Sequence, residues 1–289
     1  MSKKDIYDNF NNYNNNTPSS SYLYANDILK SSKYNINNKR NIHNDNTPES
    51  SPLSKKIKIE SKYSDVKEKQ PELTPPGRYY ISKINYEITY EVFRRELLLF
   101  LPIISSIKNE PYREFLKNYY SNPDTLNVSR QSIITLFARI LNINEIVTIT
   151  DENFNMVFLK NYLKLNDLEN VDVRNMQWFH IYWRILHFTS ILTYYQFHKS
   201  NKKNDDIIQQ FAAMLLTFNI FIVCQICFIH YMEKNIPSYV EQILSTKDPI
   251  TAIYNLHNTV NFNRTVFKTE TYYMSIDQFE SMYLVKRID

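Results

Sequence analysis

Glycine occurs once among the 289 residues, at Gly77. The phosphate-cradling turns of dinucleotide-binding sheets and of P-loops need several positions without a Cβ, because the backbone must pass close to the phosphates. A chain with one glycine builds neither, so any nucleotide cofactor has to be held another way. Hairpin signals of the Asn-Gly kind are missing as well, and strand alternation is scarce. The expected class is all-α. Aromatic residues make up 15% of the chain, enough for a sizeable core. Lys and Arg number 34 against 30 Asp and Glu, a net charge of +4, which is too mild for a nucleic-acid binder.

Residues 1–77 read as a disordered tail. They carry Asn runs, Ser clusters and prolines at 18, 48, 52, 71, 75 and 76, with no apolar periodicity to offset the entropy of ordering. Two short basic clusters, Lys39-Arg40 and Lys55-Lys56 with Lys58, have the composition of nuclear-import signals, a pattern common by chance. From residue 78 apolar and charged positions alternate at helical spacing. The pattern predicts helices at 90–108, 111–120 and 130–142, a further one around 154–164, and Pro102 as a kink or stop. A second group is expected at 174–198, 207–221, 224–234, 238–244 and 248–264. Residues 78–172 therefore form an extra helical domain. It precedes a bundle of four main helices plus a short fifth in 173–275, and 276–289 is a C-terminal extension. Phe211–Tyr231 has no formal charge over 21 residues, long enough to cross a bilayer. Its Asn219, Gln225, His230 and two cysteines are costly in hydrocarbon, and two consecutive core helices explain the run equally well.

The only two cysteines are Cys224 and Cys227. Two thiols this close cannot staple distant segments, but they can ligate a metal or do redox chemistry. On a helix, positions i and i+3 share a face, and a helix N-terminus favours the thiolate that disulfide exchange requires. Burial as small apolar groups is one alternative. Another is a zinc site from Cys224, Cys227, His230 and His257, although those spacings fit no common finger. Trp183 and His187 stand at i and i+4, so an indole and an imidazole line one slot; such a pair is more often core. In His257-Asn258-Thr-Val260-Asn261-Phe-Asn-Arg264, positions 257, 261 and 264 make a polar stripe beside an apolar run, an edge where a ligand can lie.

Taken in order, Trp-x-x-x-His, Cys-x-x-Cys and His-Asn-x-Val-Asn resemble the Erv/ALR family of FAD-linked sulfhydryl oxidases, over roughly residues 176–268. The resemblance implies an Erv-like four-helix bundle plus short fifth helix that holds FAD without a glycine-rich loop. It implies Cys224 and Cys227 as the catalytic disulfide. Trp183 and His187 would lie against the cofactor, with His257 and Asn261 on its adenine and ribose side; Asn258 and Val260 would also belong to the cofactor-binding set. Arg264 would reach the diphosphate, and Phe221 would stack on the flavin. The family's aromatic-Pro before the first cysteine is replaced by Phe221-Ile222-Val223. Protein dithiols would be the substrates and O2 the electron acceptor, yielding hydrogen peroxide. The added helical segment and the lack of other cysteines are similar to the baculovirus-type enzymes, which implies a viral, homodimeric protein. No secretory signal is read in residues 1–20, so an intracellular setting, host nucleus or cytoplasm, or the virion is expected. A zinc-stabilised helical interaction module and a membrane-anchored viral structural protein are the other readings.

Overall fold

A computed structural model of the chain describes residues 72–105, 125–168, 178–200, 205–223, 225–265 and 273–288. The architecture is all-α. In chain order the helices are α1 (Lys83–Ser105), α2 (Thr125–Ile140), α3 (Met156–Tyr162), α4 (Trp178–Lys199), α5 (Asp206–Thr217), α6 (Gln225–Met232), α7 (Ile236–Thr246), α8 (Pro249–Thr265) and α9 (Ile276–Tyr283). A 3-10 turn, Phe218–Phe221, tightens the end of α5. The expected helix at 111–120 falls outside the described residues.

α4 is the axis. Every residue from Ile185 to Tyr194 is buried, and α1, α2, α5 and α8 pack around it. A helix buried all round must satisfy its polar side chains internally. Thr189 Oγ1 donates to the Ile185 carbonyl and Ser190 Oγ to the His187 carbonyl, each within the helix itself. The segments before and after residue 173 share one continuous core. At its centre Phe100 of α1 lies 6.0 Å from Phe218 in a parallel stack and meets Tyr182 edge-on at 5.4 Å.

Helix ends follow side-chain chemistry more than apolar period. α1 starts at Lys83, seven residues before the expected boundary, because Ser82 Oγ accepts the amide of Asn85 as an N-cap. Its first turns hold Ile84 and Ile88 in solvent, 69% and 45% exposed, so an inward periodicity could not reveal them. Pro102 neither stops the helix nor comes early in it. It sits in the last turn, so the proline forfeits one hydrogen bond near the helix end and the helix continues to Ser105. Asp248 caps α8: its Oδ1 accepts the amide of Thr251 and Pro249 takes the first helical position.

Two features lie outside the expected helices. Residues 72–77, expected within the tail, run against α8. The Asn255 amide bonds both the N–H and the carbonyl of Thr74, and the Gly77 amide donates to Asp248 Oδ2. Just beyond, Tyr79–Tyr80 pairs antiparallel with Lys286–Arg287, which joins the two ends of the described chain. The lone glycine has a packing role here: a Cβ on Gly77 would stand 2.7 Å from Arg287 Nε. α9, inside the expected extension, is started by a capping box between Ser275 and Gln278 and buries Phe279 and Tyr283.

Among the described residues no helix is long and apolar enough to cross a membrane. The uncharged run Phe211–Tyr231 is divided between α5, the 3-10 turn and α6. Phe100→Ala is expected to cost about 3–5 kcal/mol, because it removes the ring that joins α1 to α4 and to the 3-10 turn. Urea unfolding followed by circular dichroism measures it, and a loss near zero would mean that α1 is not part of the same cooperative unit.

Candidate functional site

Trp183 and His187 project from one face of α4, and His257 projects toward them from α8. The indole of Trp183 and the imidazole of His257 are stacked, centroids 4.0 Å apart and planes 12° apart. His187 Nε2 and His257 Nδ1 are 2.9 Å apart, one of them donating to the other. His187 is fully buried, and its Nδ1 has no hydrogen-bond partner. The tautomer with the proton on Nε2 leaves a bare lone pair inside the core. The other tautomer leaves an unbonded N–H there, which is the costlier orphan. The first arrangement is therefore favoured, with His187 donating to His257.

The wall behind the imidazoles comes from α9. Tyr283 lies 4.6 Å from the His187 ring and Phe279 5.3 Å, and Tyr283 also meets Phe188 edge-on at 5.3 Å. α1 contributes Glu96, a buried carboxylate 2.7 Å from the guanidinium of Arg184, whose side chain is 47% exposed. Burial pushes the Glu96 carboxyl above its usual range, against the pull of Arg184. Burial likewise pushes the Tyr283 phenol well up; Arg184 lowers it and Glu96 raises it further. The cluster is thus a set of stacked rings with one neutral imidazole at its centre and one ion pair at its flank.

The other residues singled out from the sequence are placed as follows. Cys227 is half-buried, third in α6, and packs on the core. Cys224 falls outside the described residues, and so does any bond between the two. Phe221 is fully buried between Phe100 and Phe218 and makes no ring contact with Trp183, His187 or His257. The Asn258 side chain is committed at both ends: its Oδ1 accepts the Met274 amide and its Nδ2 donates to the Met274 carbonyl. Val260 and Asn261 are half-buried on α8. Arg264 lies in α8, its side chain outside the described residues. Among the described residues no three His, Cys, Asp or Glu side chains gather as a metal site; Cys224 and the His230 side chain are not among those residues.

Four members of the cluster escaped the sequence reading: Glu96, Arg184, Phe279 and Tyr283. Phe279 and Tyr283 stand at i and i+4 behind Ser275-x-x-Gln278, a capping signature that was there to be read. Nothing local marks Glu96, whose partner is distant in sequence.

FAD is the cofactor that the Erv/ALR resemblance implies. Trp183 and His257 are parallel and both half-buried, but they stack directly on each other at 4.0 Å, so a planar ring could lie only on an outer face of the pair and not between them. Asn258 and Phe221 do not fit their expected roles, since one is held by Met274 and the other by the phenylalanine core. No known family, curated protein or solved structure matches this chain.

Burial first, and His257 second, hold the His187 imidazole well below its ordinary 6.5. The unfolded chain then takes up a proton near that value while the folded one resists. Stability present above about 6.5 is lost as the pH falls toward the folded pKa. Glu96 acts in the opposite sense, so the difference between variants is the readout. The urea midpoint of the wild type is expected to fall more steeply between about pH 7 and 5 than that of His187→Asn. Equal slopes would show that His187 does not titrate with unfolding.

Proposed function

We propose that this chain is a flavin-linked sulfhydryl oxidase of the Erv type, with Cys224 and Cys227 as its redox pair. One observation carries the reading. Trp183 and His187, singled out from one motif, and His257, from another 70 residues further on, meet in a single ring stack with a direct imidazole–imidazole bond. Trp183 and His257 would hold the planar part of the cofactor, and His187 would fix the orientation of His257. Cys227 stands in the first turn of α6, where the helix dipole favours an anion.

The chemistry follows from thiol exchange. A substrate thiolate attacks Cys224, forming a mixed disulfide and releasing Cys227 as a thiolate. The second thiol of the substrate displaces Cys224 and leaves with its new disulfide, so the pair has gained two electrons and two protons. Bound flavin supplies the two-electron acceptor, and O2 takes the electrons on as hydrogen peroxide. The net change is two thiols and O2 converted to one disulfide and H2O2. The chain's own contribution is to present the pair, stack the ring system and keep His187 neutral.

A second reading has its own observation. Phe279 and Tyr283 lie directly against His187, as expected if the rings serve to pin α9 and the protein is a helical scaffold. A visible spectrum separates the two. The oxidase is yellow after exposure to FAD, absorbs near 450 nm and turns over dithiothreitol; the scaffold stays colourless. Cys227→Ser is expected to keep the colour and abolish turnover. Trp183→Ala is expected to weaken FAD binding by about 10- to 100-fold, the value of one stacking partner. Colourless wild-type protein in excess FAD would sink the oxidase reading.

A further inference from the structure

The strap 72–77 is held to α8 through its main chain. The Asn255 side chain, 3% exposed, takes both main-chain groups of Thr74: Oδ1 accepts the N–H at 3.0 Å and Nδ2 donates to the carbonyl at 2.7 Å. Three residues on, the Gly77 amide donates to Asp248 Oδ2 at 2.9 Å. Arg287 Nη2 donates to the Pro76 carbonyl at 3.4 Å. No residue from 72 to 77 is buried. The first buried anchor is Tyr79, whose amide donates to the Tyr194 hydroxyl and whose own hydroxyl bonds that of Thr251. A segment fixed by a few polar bonds and no buried apolar side chain opens locally without disturbing the core behind it. The strap therefore has two states, latched on α8 or swung free ahead of Tyr79.

The residue at the latch is followed by a proline. Thr74-Pro75 offers a hydroxyl and, next to it, a residue with no amide N–H, the pair that proline-directed protein kinases select. Such pairs are confined to one part of the chain. Prolines 18, 48, 52 and 75 follow Thr or Ser, whereas 102, 111, 123, 237 and 249 follow Leu, Glu, Asn, Ile and Asp. The pairs thus belong to the segment that leads into the fold. Thr74 is the member that lies among the described residues, against α8.

The surroundings of the Thr74 hydroxyl decide what a phosphate would do there. The Thr74 side chain bonds the Tyr254 phenol, which already gives its proton to the Met274 carbonyl at 2.8 Å. The Asn258 amide beside them is committed to Met274 as well. The Asp277 carboxylate, in the first turn of α9, acts on the same phenol. A phosphate carries a charge of about −1.5 to −2 and acceptor oxygens. Latched, it meets a like charge and groups whose protons are already given; swung free, it is solvated.

We propose that Thr74 is a phosphorylation site for a proline-directed kinase and that its phosphate unlatches the strap from α8. The hydroxyl oxygen bonds the γ-phosphorus of ATP, and the bond from that phosphorus to the β,γ-bridging oxygen breaks. ADP leaves, and the hydroxyl proton passes to the base of the kinase. The kinase needs the strap swung free and the phosphate keeps it so, which makes release and modification favour each other. The proposal does not depend on the thiol chemistry.

The test uses the full-length protein, a mitogen-activated protein kinase and ATP. Mass spectrometry locates the phosphate, and hydrogen exchange at the Thr74 and Gly77 amides follows the strap. Phosphate is expected on Thr74, with exchange about 10- to 100-fold faster at both amides, as for loss of the bonds that protect them. Thr74→Val keeps the main-chain latch. With kinase and ATP it is expected to exchange at both amides as the unmodified protein does. No phosphate at Thr74 would overturn the proposal. So would phosphate there with unchanged exchange, or with slower exchange, which would mean that Arg287 draws the phosphate in and tightens the strap. Faster exchange in kinase-treated Thr74→Val would overturn it too, since the release would then come from elsewhere.

Discussion

The covering of α4 on every side is the constraint from which the rest of this structure follows. Ten consecutive residues, Ile185 to Tyr194, are buried, so no face of the helix is left for water. α1, α2, α5 and α8 have to surround it, and polar side chains within the stretch are cut off from water. Thr193 Oγ1 is left without a hydrogen-bond partner, while Thr189 and Ser190 bond to carbonyls of their own helix. An imidazole cannot. His187 reaches across to His257, and that 2.9 Å bond fixes the register between α4 and α8. The stack of Trp183 on His257 follows from the same register. The ring cluster is therefore a consequence of burying a histidine in the central helix, as well as a candidate surface for a cofactor.

The same arrangement explains why the two ends of the described residues converge. Covering His187 from behind takes two more rings, Phe279 and Tyr283, which belong to a helix that the sequence places after the bundle. α9 is held by its capping box, and the strand that follows pairs with Tyr79–Tyr80. The strap before those residues lies on α8 through Thr74 and Gly77. Gly77 leaves room for the Arg287 side chain and sends its amide to Asp248, the residue that also caps α8. The chain's one glycine thus helps close the fold where the first and last described segments meet.

The first half of α4 carries the rings, with Glu96 of α1 and Arg184 at their flank, so the segment before residue 173 contributes to the candidate site. That cluster is aromatic and centred on a neutral imidazole.

The helical class, the position of most helices and the shared helix face of Trp183 and His187 were legible in the sequence; that His257 stacks on Trp183 was not. Apolar period and residue spacing are local quantities, and the near-absence of glycine removes the turns that other classes need. Helix starts at Ser82 and Ser275 depended on one capping bond and on a two-bond capping box, neither of which an apolar pattern registers. The burial of Phe221 in a phenylalanine core and the capture of Asn258 by Met274 were decided by partners up to about a hundred residues away, as was the pairing of Glu96 with Arg184. The sequence by itself determined which side chains can do chemistry. Only the tertiary structure decided which of them are already engaged, because a buried polar group is satisfied by whatever the packed helices bring within hydrogen-bond reach.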